Sequence, residues 1–205
     1  VIVLIRIVTR RIHKYFETEF SLCEMDSIKL RYTLEVIIND FSKLIVLFLV
    51  FTLLDKQMNF IYSFLALSTL RPFTGGLHFK TYIGCILFSA AFFYLSIFLV
   101  LSIFLDFFIT LVLFIFALLI VILLAPIPSE ARPTYSRKKI TTFKFLSAMI
   151  IVFHLFMYFF TNKNPYFIHS IWVIVLQCIQ LLLRKGGLMY ESRKDKLQKI
   201  NRYPM

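Results

Sequence analysis

Charge is scarce in this chain, and negative charge is the scarcer kind. Eleven Asp and Glu stand against 23 Lys and Arg in 205 residues, and charged side chains make up 17% of the total. A water-soluble domain of this length needs a polar shell that these side chains cannot supply, which excludes a soluble fold. Cysteine is scarce as well. The three thiols, Cys23, Cys85 and Cys178, cannot close into a set of disulfides. No Cys-x-x-Cys or His-Glu-x-x-His occurs, so neither a structural zinc site nor a helical metalloprotease is supported, and no metal or other cofactor is expected. The basic residues are scattered and no recognition motif accompanies them, so no nucleic-acid partner is expected. Only five glycines and six prolines interrupt the chain. Where they cluster, the chain is breaking its regular structure.

What is abundant is apolar surface. Hydrophobic residues reach 60%, phenylalanine alone fills 25 positions, and the mean hydropathy is +0.82. The expected class is an all-α integral membrane protein. Apolar runs near the ~20 residues that cross a bilayer core cover 36–54, 82–105, 107–125, 143–161 and 166–183. A shorter run from Met58 to Leu70 ends just before Pro72 and completes a count of six transmembrane helices.

The basic residues orient these spans. They concentrate in the N-terminal 35 residues, the 71–80 segment, the 126–144 segment and the C-terminal tail, which alternate with the other loops. Only Lys56 and Lys163 fall in turns on the opposite side, and Lys43 falls within a span. Both termini and the 71–80 segment are therefore expected on the cytoplasmic side of a multi-pass protein, where the net charge of +12 attracts anionic lipid.

The N-terminus does not read as a cleaved signal peptide, because arginines follow a short apolar run without a small-residue cleavage site. As a helix, it would put Ile5, Val8, Ile12, Tyr15 and Phe16 on one face. Arg6, Arg10, His13, Lys14 and Glu17 would share the other, with His13 solvated. The chain thus divides into an interfacial amphipathic helix (1–27), a six-helix transmembrane region (28–184) and a loosely ordered basic cytoplasmic tail (185–205), all within one membrane domain.

One polar, glycine-rich interruption stands out between the second and third runs. It reads Arg71-Pro72-Phe73-Thr74-Gly75-Gly76-Leu77-His78-Phe79-Lys80-Thr81-Tyr82-Ile83-Gly84-Cys85 and places an imidazole seven residues before a thiol. A thiolate is a strong nucleophile, and a neighbouring imidazole is the usual group that takes the thiol proton. On a continuous helix, residues seven apart are separated by about 10.5 Å along the axis. Proton transfer needs about 2.6–3.2 Å, or one bridging water. The chain must therefore bend between His78 and Cys85, and Gly75-Gly76 permits a bend. A helix beginning near Thr81 would favour a thiolate at Cys85 through its N-terminal dipole. From the residues alone two alternatives stay open, a catalytic pair and a glycine-broken helix that happens to carry a histidine and a cysteine. Asp40 and Glu35, near the cytoplasmic end of the first span, are candidate acids for orienting His78. His154, His169, Cys23 and Cys178 read as structural.

The pattern of Arg71, Gly75-Gly76, His78 and Cys85, followed by small Ser89 and Ala90, resembles the hallmark of AgrB-type accessory gene regulator proteins. The length, the amphipathic N-terminus and the Ala125-Pro126 loop followed by basic residues are similar too. That resemblance implies a membrane cysteine endopeptidase of the bacterial cell membrane that matures a quorum-sensing AgrD-type propeptide. It assigns Cys85 as the nucleophile, His78 as its general base, and Arg71, Gly75 and Gly76 as supporting residues. It also implies a homodimer. The competing function is a small permease or peptide exporter whose Gly-Gly segment is a broken transport helix.

Overall fold

The computed structural model describes residues 2–20, 23–77, 81–99, 106–127, 135–161 and 164–202. These form seven α-helices: α1 (Ile2–Phe20), α2 (Glu24–Leu53), α3 (Gln57–Thr74), α4 (Tyr82–Tyr94), α5 (Phe107–Leu124), α6 (Arg137–Phe160) and α7 (Pro165–Arg202). A π-helical turn, Leu95–Leu99, prolongs α4. Among the described residues there is no strand, as expected for an all-α chain.

Local chemistry sets the helix ends. Thr81 caps α4 by accepting from the Gly84 N–H at 3.2 Å, and Ser136 caps α6 by accepting from Lys139 N–H. Asn164 accepts from Tyr166 N–H at 3.0 Å while Pro165 opens α7, a position where its missing N–H costs nothing. Acidic Glu24 and Asp26 occupy the first turn of α2, where the helix dipole favours them.

Four helices are long and apolar enough to cross a membrane: α2, α5, α6 and the 166–190 part of α7. They account for four of the six expected crossings. The 18-residue α3 is diluted by Gln57, Asn59, Ser63, Ser68 and Thr69, and α4 with its π turn forms a shorter apolar helix, so neither joins that set. Three boundaries also differ from expectation, one being the start of α6 at Arg137, within the segment expected to be a loop. Helix α2 runs 30 residues, about 45 Å, because its polar start at 24–35 continues the helix without an apolar run to reveal it. The tail, expected to be loosely ordered, extends α7 as helix to Arg202.

Helix α7 is the centre of the packing. Of its apolar window 56% is buried, against 17% for α2 and 22% for α5 and α6. One apolar cluster joins Leu70 of α3 to Phe114 and Val121 of α5, Ile151 of α6, and Ile174 and Leu181 of α7. A second joins Phe51 of α2, Phe60 of α3 and Phe93 of α4, with ring centroids 5.0 Å (Phe51–Phe60) and 4.9 Å (Phe60–Phe93) apart. Lipid removes most of the hydrophobic drive for helix association, so close packing at small residues must carry it. Ser63, Ala66, Ala117 and Ser147 are buried at such contacts. Large apolar side chains such as Phe108 and Leu123 of α5, each about 70% exposed, form the outer surface, as a lipid-facing helix requires.

Helix α1 packs along α2 rather than standing apart, and this corrects the expectation for His13. Its side chain is only 15% exposed, with Nε2 at 2.9 Å from Ser27 Oγ and 3.0 Å from Ser27 O. Ser27 in turn donates to Glu17 at 2.9 Å. Tyr15 and Phe20 remain exposed on α1, consistent with an apolar face available to a bilayer interface.

Candidate functional site

The glycine-rich interruption forms where α3 stops. Pro72 occupies the last turn of α3, and Gly75 ends the helix with φ +79° and ψ −157°, a backbone region essentially confined to glycine. Gly75 also pairs with Ile127, whose N–H donates to Thr74 O at 3.0 Å. A β-carbon at Gly75 would collide with the Ile127 carbonyl oxygen. The close approach of the two chains and the backbone angle both require this residue to lack a side chain.

Two glutamines from α7 lie against the turn, and one of them bonds it. Gln177, fully buried, donates through Nε2 to Gly75 O at 2.6 Å and to Thr74 Oγ1 at 3.0 Å. Gln180 places Oε1 only 3.2 Å from where a β-carbon on Gly76 would lie, and Arg71 Nε is 3.6 Å from the same point. Arg71 also donates from Nη2 to Leu77 O at 2.8 Å, so the guanidinium closes the turn that follows its own helix. Arg71, Gly75 and Gly76 thus lie together at the end of α3.

Cys85 lies on the next element. It is the fourth residue of α4, its N–H bonding Thr81 O at 3.1 Å in the first turn, and its free thiol is half-buried. Arg71 is half-buried at the end of α3, and Cys85 and Asp40 lie close enough for a charge on either to act on its guanidinium. The thiol, the guanidinium and the Asp40 carboxylate are therefore within electrostatic reach of one another. His78, with Phe79 and Lys80, lies outside the described residues.

The candidate orienting acids both have basic partners on α2. Asp40 receives Lys43 Nζ at 2.9 Å, and Glu35 sits 3.5 Å from Arg31. Lys43 is buried and lies 5.7 Å from the centre of the Tyr82 ring, whose hydroxyl is 3.1 Å from Ser42 Oγ. These contacts pin the first turn of α4, which carries Cys85, to α2.

The remaining histidines and cysteines serve the packing. His169 is fully buried, with Nδ1 3.1 Å from Ser96 O and Nε2 2.6 Å from Asn59 Nδ2. Its contacts fix Nδ1 as donor and Nε2 as acceptor, the neutral form. His154 Nδ1 bonds Ile150 O of its own helix at 2.9 Å, and the buried Cys178 faces Ala117 O. Cys23 is exposed, its thiol donating to Asp26. Among the described residues no three His, Cys, Asp or Glu side chains converge to hold a metal.

Gln177, Gln180 and Ile127 were not singled out from the sequence. A signal was present for the glutamines: two carboxamides three residues apart share one face of an otherwise apolar helix, and intramembrane polar groups tend to mark function.

Comparison with known proteins agrees with the residue pattern. No solved structure matches the chain. A protein of Clostridium beijerinckii named as AgrB-like is 33% identical over 198 residues, covering 94% of this chain and 96% of that protein. The model of the family described as accessory gene regulator B matches residues 9–181, which include the whole Gly-Gly turn, Cys85 and both glutamines. This chain is a membrane protein of the accessory gene regulator B family.

Proposed function

We propose that this chain is a membrane cysteine endopeptidase that cleaves an AgrD-type propeptide and promotes its cyclisation. The observation that carries this is the half-buried Cys85 thiol in the first turn of α4, within the electrostatic reach of Arg71. A helix N-terminus and a nearby cation both favour thiolate over thiol. His78, seven residues earlier in the chain, is the base that takes the proton.

In the first step the Cys85 thiolate attacks a backbone carbonyl in the C-terminal part of the propeptide. The C–N bond breaks, the imidazolium returns its proton to the leaving amine, and an acyl-enzyme thioester remains. In the second step a cysteine or serine inside the peptide gives its proton to His78 and attacks that thioester; the bond between the acyl carbon and Cys85 breaks, which closes a thiolactone or lactone ring and restores the thiolate. Exchange between thioesters is nearly balanced in energy, so water must be kept from the intermediate. A partly buried sulfur at the end of a membrane helix meets that need. The Arg71 guanidinium and the N–H groups at the start of α4 are the candidate donors to the oxyanion.

The six-crossing arrangement, with both termini and Cys85 on the cytoplasmic side, belongs to the same proposal. The contacts of the helix ends support it. The start of α3 (Asn59), the end of α4 (Ser96) and the start of α7 (His169) meet at one end. The end of α3 meets the end of α5 through Gly75 and Ile127 at the other. A homodimer and contacts with anionic lipid complete the proposed setting.

Co-expression with the cognate propeptide tests the function. Cys85→Ser and His78→Ala are expected to insert normally and to abolish cleavage. Retained cleavage in Cys85→Ser would contradict the proposal and favour a permease.

A further inference from the structure

Gln57, Ser63, Thr110, Trp172 and Gln177 each bury one unpartnered polar atom among the described residues, but Gln180 buries two. It is 3% exposed, and neither its side-chain oxygen nor its nitrogen has a hydrogen-bond partner among the described residues. Gln177 is different, because its amide nitrogen is already committed to Thr74 and Gly75. The buried neighbours of Gln180 on α7, Cys178 and Leu181, are apolar, and leucine at 180 would continue that surface without leaving a polar group unmet. A buried carboxamide without a partner in that position is suited to a partner that arrives from outside the chain.

The surroundings define the partner. The Gln180 oxygen and the Arg71 Nε both border the space that a side chain on Gly76 would fill, at 3.2 Å and 3.6 Å from its β-carbon position. Gln177 Nε2 stands 3.4 Å from the same point, so a methyl group there would press on all three groups at this half-buried turn. A neutral carboxamide offers N–H donors and a C=O acceptor, the complement of a peptide unit, which presents one of each. An anion would be served by Arg71 but gains nothing from the glutamine oxygen.

We infer that Gln180 is a substrate-binding residue whose carboxamide hydrogen-bonds a backbone peptide unit of the propeptide lying across the Gly75–Gly76 turn. This rests on the peptidase function proposed above and adds the group that holds the substrate. Sites built to hydrogen-bond a substrate discriminate strongly, because their buried polar groups are left unpaired by anything else.

The test separates binding from chemistry. Fluorescein-labelled cognate propeptide is titrated against the Cys85→Ser protein in nanodiscs, alone and with Gln180→Leu, Gln180→Glu or Gly76→Ala added. Gln180→Leu is expected to weaken capture by about tenfold, as the loss of one good hydrogen-bonded contact would. Gln180→Glu, which keeps the shape but loses the donor, and Gly76→Ala, which fills the space, are expected to weaken it too. The Gln180→Leu change, placed in the Cys85-containing protein, should leave the rate of iodoacetamide alkylation of Cys85 unchanged. Capture within twofold of the parent in the Gln180 variants overturns the inference. So does weakened capture that comes with an equal loss of Cys85 alkylation in Gln180→Leu, because Gln180 would then only support the fold. If Gln180→Leu does not fold, Gln180→Met, uncharged and of similar length, decides by the same criteria. Cleavage that survives Cys85→Ser would instead sink the peptidase proposal, whatever the capture series shows.

Discussion

Gln177 of α7 donates to the Gly75 carbonyl at 2.6 Å across 102 residues of sequence, tying the central helix to the turn that follows α3. That bond, with the Thr74 bond beside it, makes the rigidity of the turn depend on α7. Substitutions on either side should therefore act on the same turn.

Gly75 and Gly76 should respond differently to alanine. At Gly75 the backbone angle and the Ile127 carbonyl both oppose a β-carbon. A side chain in that backbone region costs about 1–3 kcal/mol before any clash is counted. Gly75→Ala is expected to lower the melting temperature in detergent and to abolish processing. At Gly76 the nearest atoms are the ends of Gln180, Gln177 and Arg71 side chains, which are able to shift. Gly76→Ala should melt close to the parent. Equal melting temperatures for the two variants would contradict the turn geometry.

Arg71 should influence how readily Cys85 reacts. Replacing the guanidinium with a neutral side chain of similar length, Arg71→Met, removes a cation that favours thiolate. Alkylation of Cys85 at neutral pH is expected to slow by roughly threefold to tenfold. Arg71→Lys keeps the charge but loses the fork that reaches Leu77 O, so it should retain most of the alkylation rate and less of the processing. An unchanged rate in Arg71→Met would show that the charge does not act on the thiol.

Asp40 holds Lys43 at 2.9 Å, and its side chain is 60% exposed, so it belongs first to that ion pair. Asp40→Asn is expected to reduce propeptide processing by less than about tenfold, within the range of a screened, partly exposed charge. A loss of a hundredfold or more, without a fall in melting temperature, would instead give Asp40 the role of orienting His78.

His169 joins α3, the end of α4 and α7 through Asn59 and Ser96. His169→Ala leaves both partners unmet in a buried place, at a cost of about 1–3 kcal/mol. The melting temperature should fall while the rate of Cys85 alkylation in the folded protein stays at the parent value. A selective loss of alkylation would mean that His169 acts on the thiol.

Much of this was legible in the sequence because apolar runs and local motifs are short-range signals. The helix at 107–124 and the part of α6 from residue 143 onward follow directly from such runs. Arg71, Gly75 and Gly76 converge because they belong to one helix end and the turn after it. The role of Gln177 was hidden because its partners, Thr74 and Gly75, lie about a hundred residues earlier, and nothing in its own neighbourhood names them. His13 was misjudged for a related reason: the serine that takes it out of solvent comes from α2, and a helical wheel drawn for α1 alone cannot contain it. The start of α2 and the helical tail were missed because charged helices carry no apolar run.

The central claim is that the Cys85 sulfur becomes covalently bonded to the propeptide. Intact-protein mass spectrometry of the membrane protein, acid-quenched soon after mixing with its cognate AgrD-type propeptide, measures this directly. The account predicts an added mass equal to the N-terminal fragment of the propeptide less one water, the mass of its acyl group. That mass should be localised to the peptide containing Cys85, released by hydroxylamine and absent in Cys85→Ser. Efficient cleavage without any such adduct, or an adduct on Cys23 or Cys178, would contradict it.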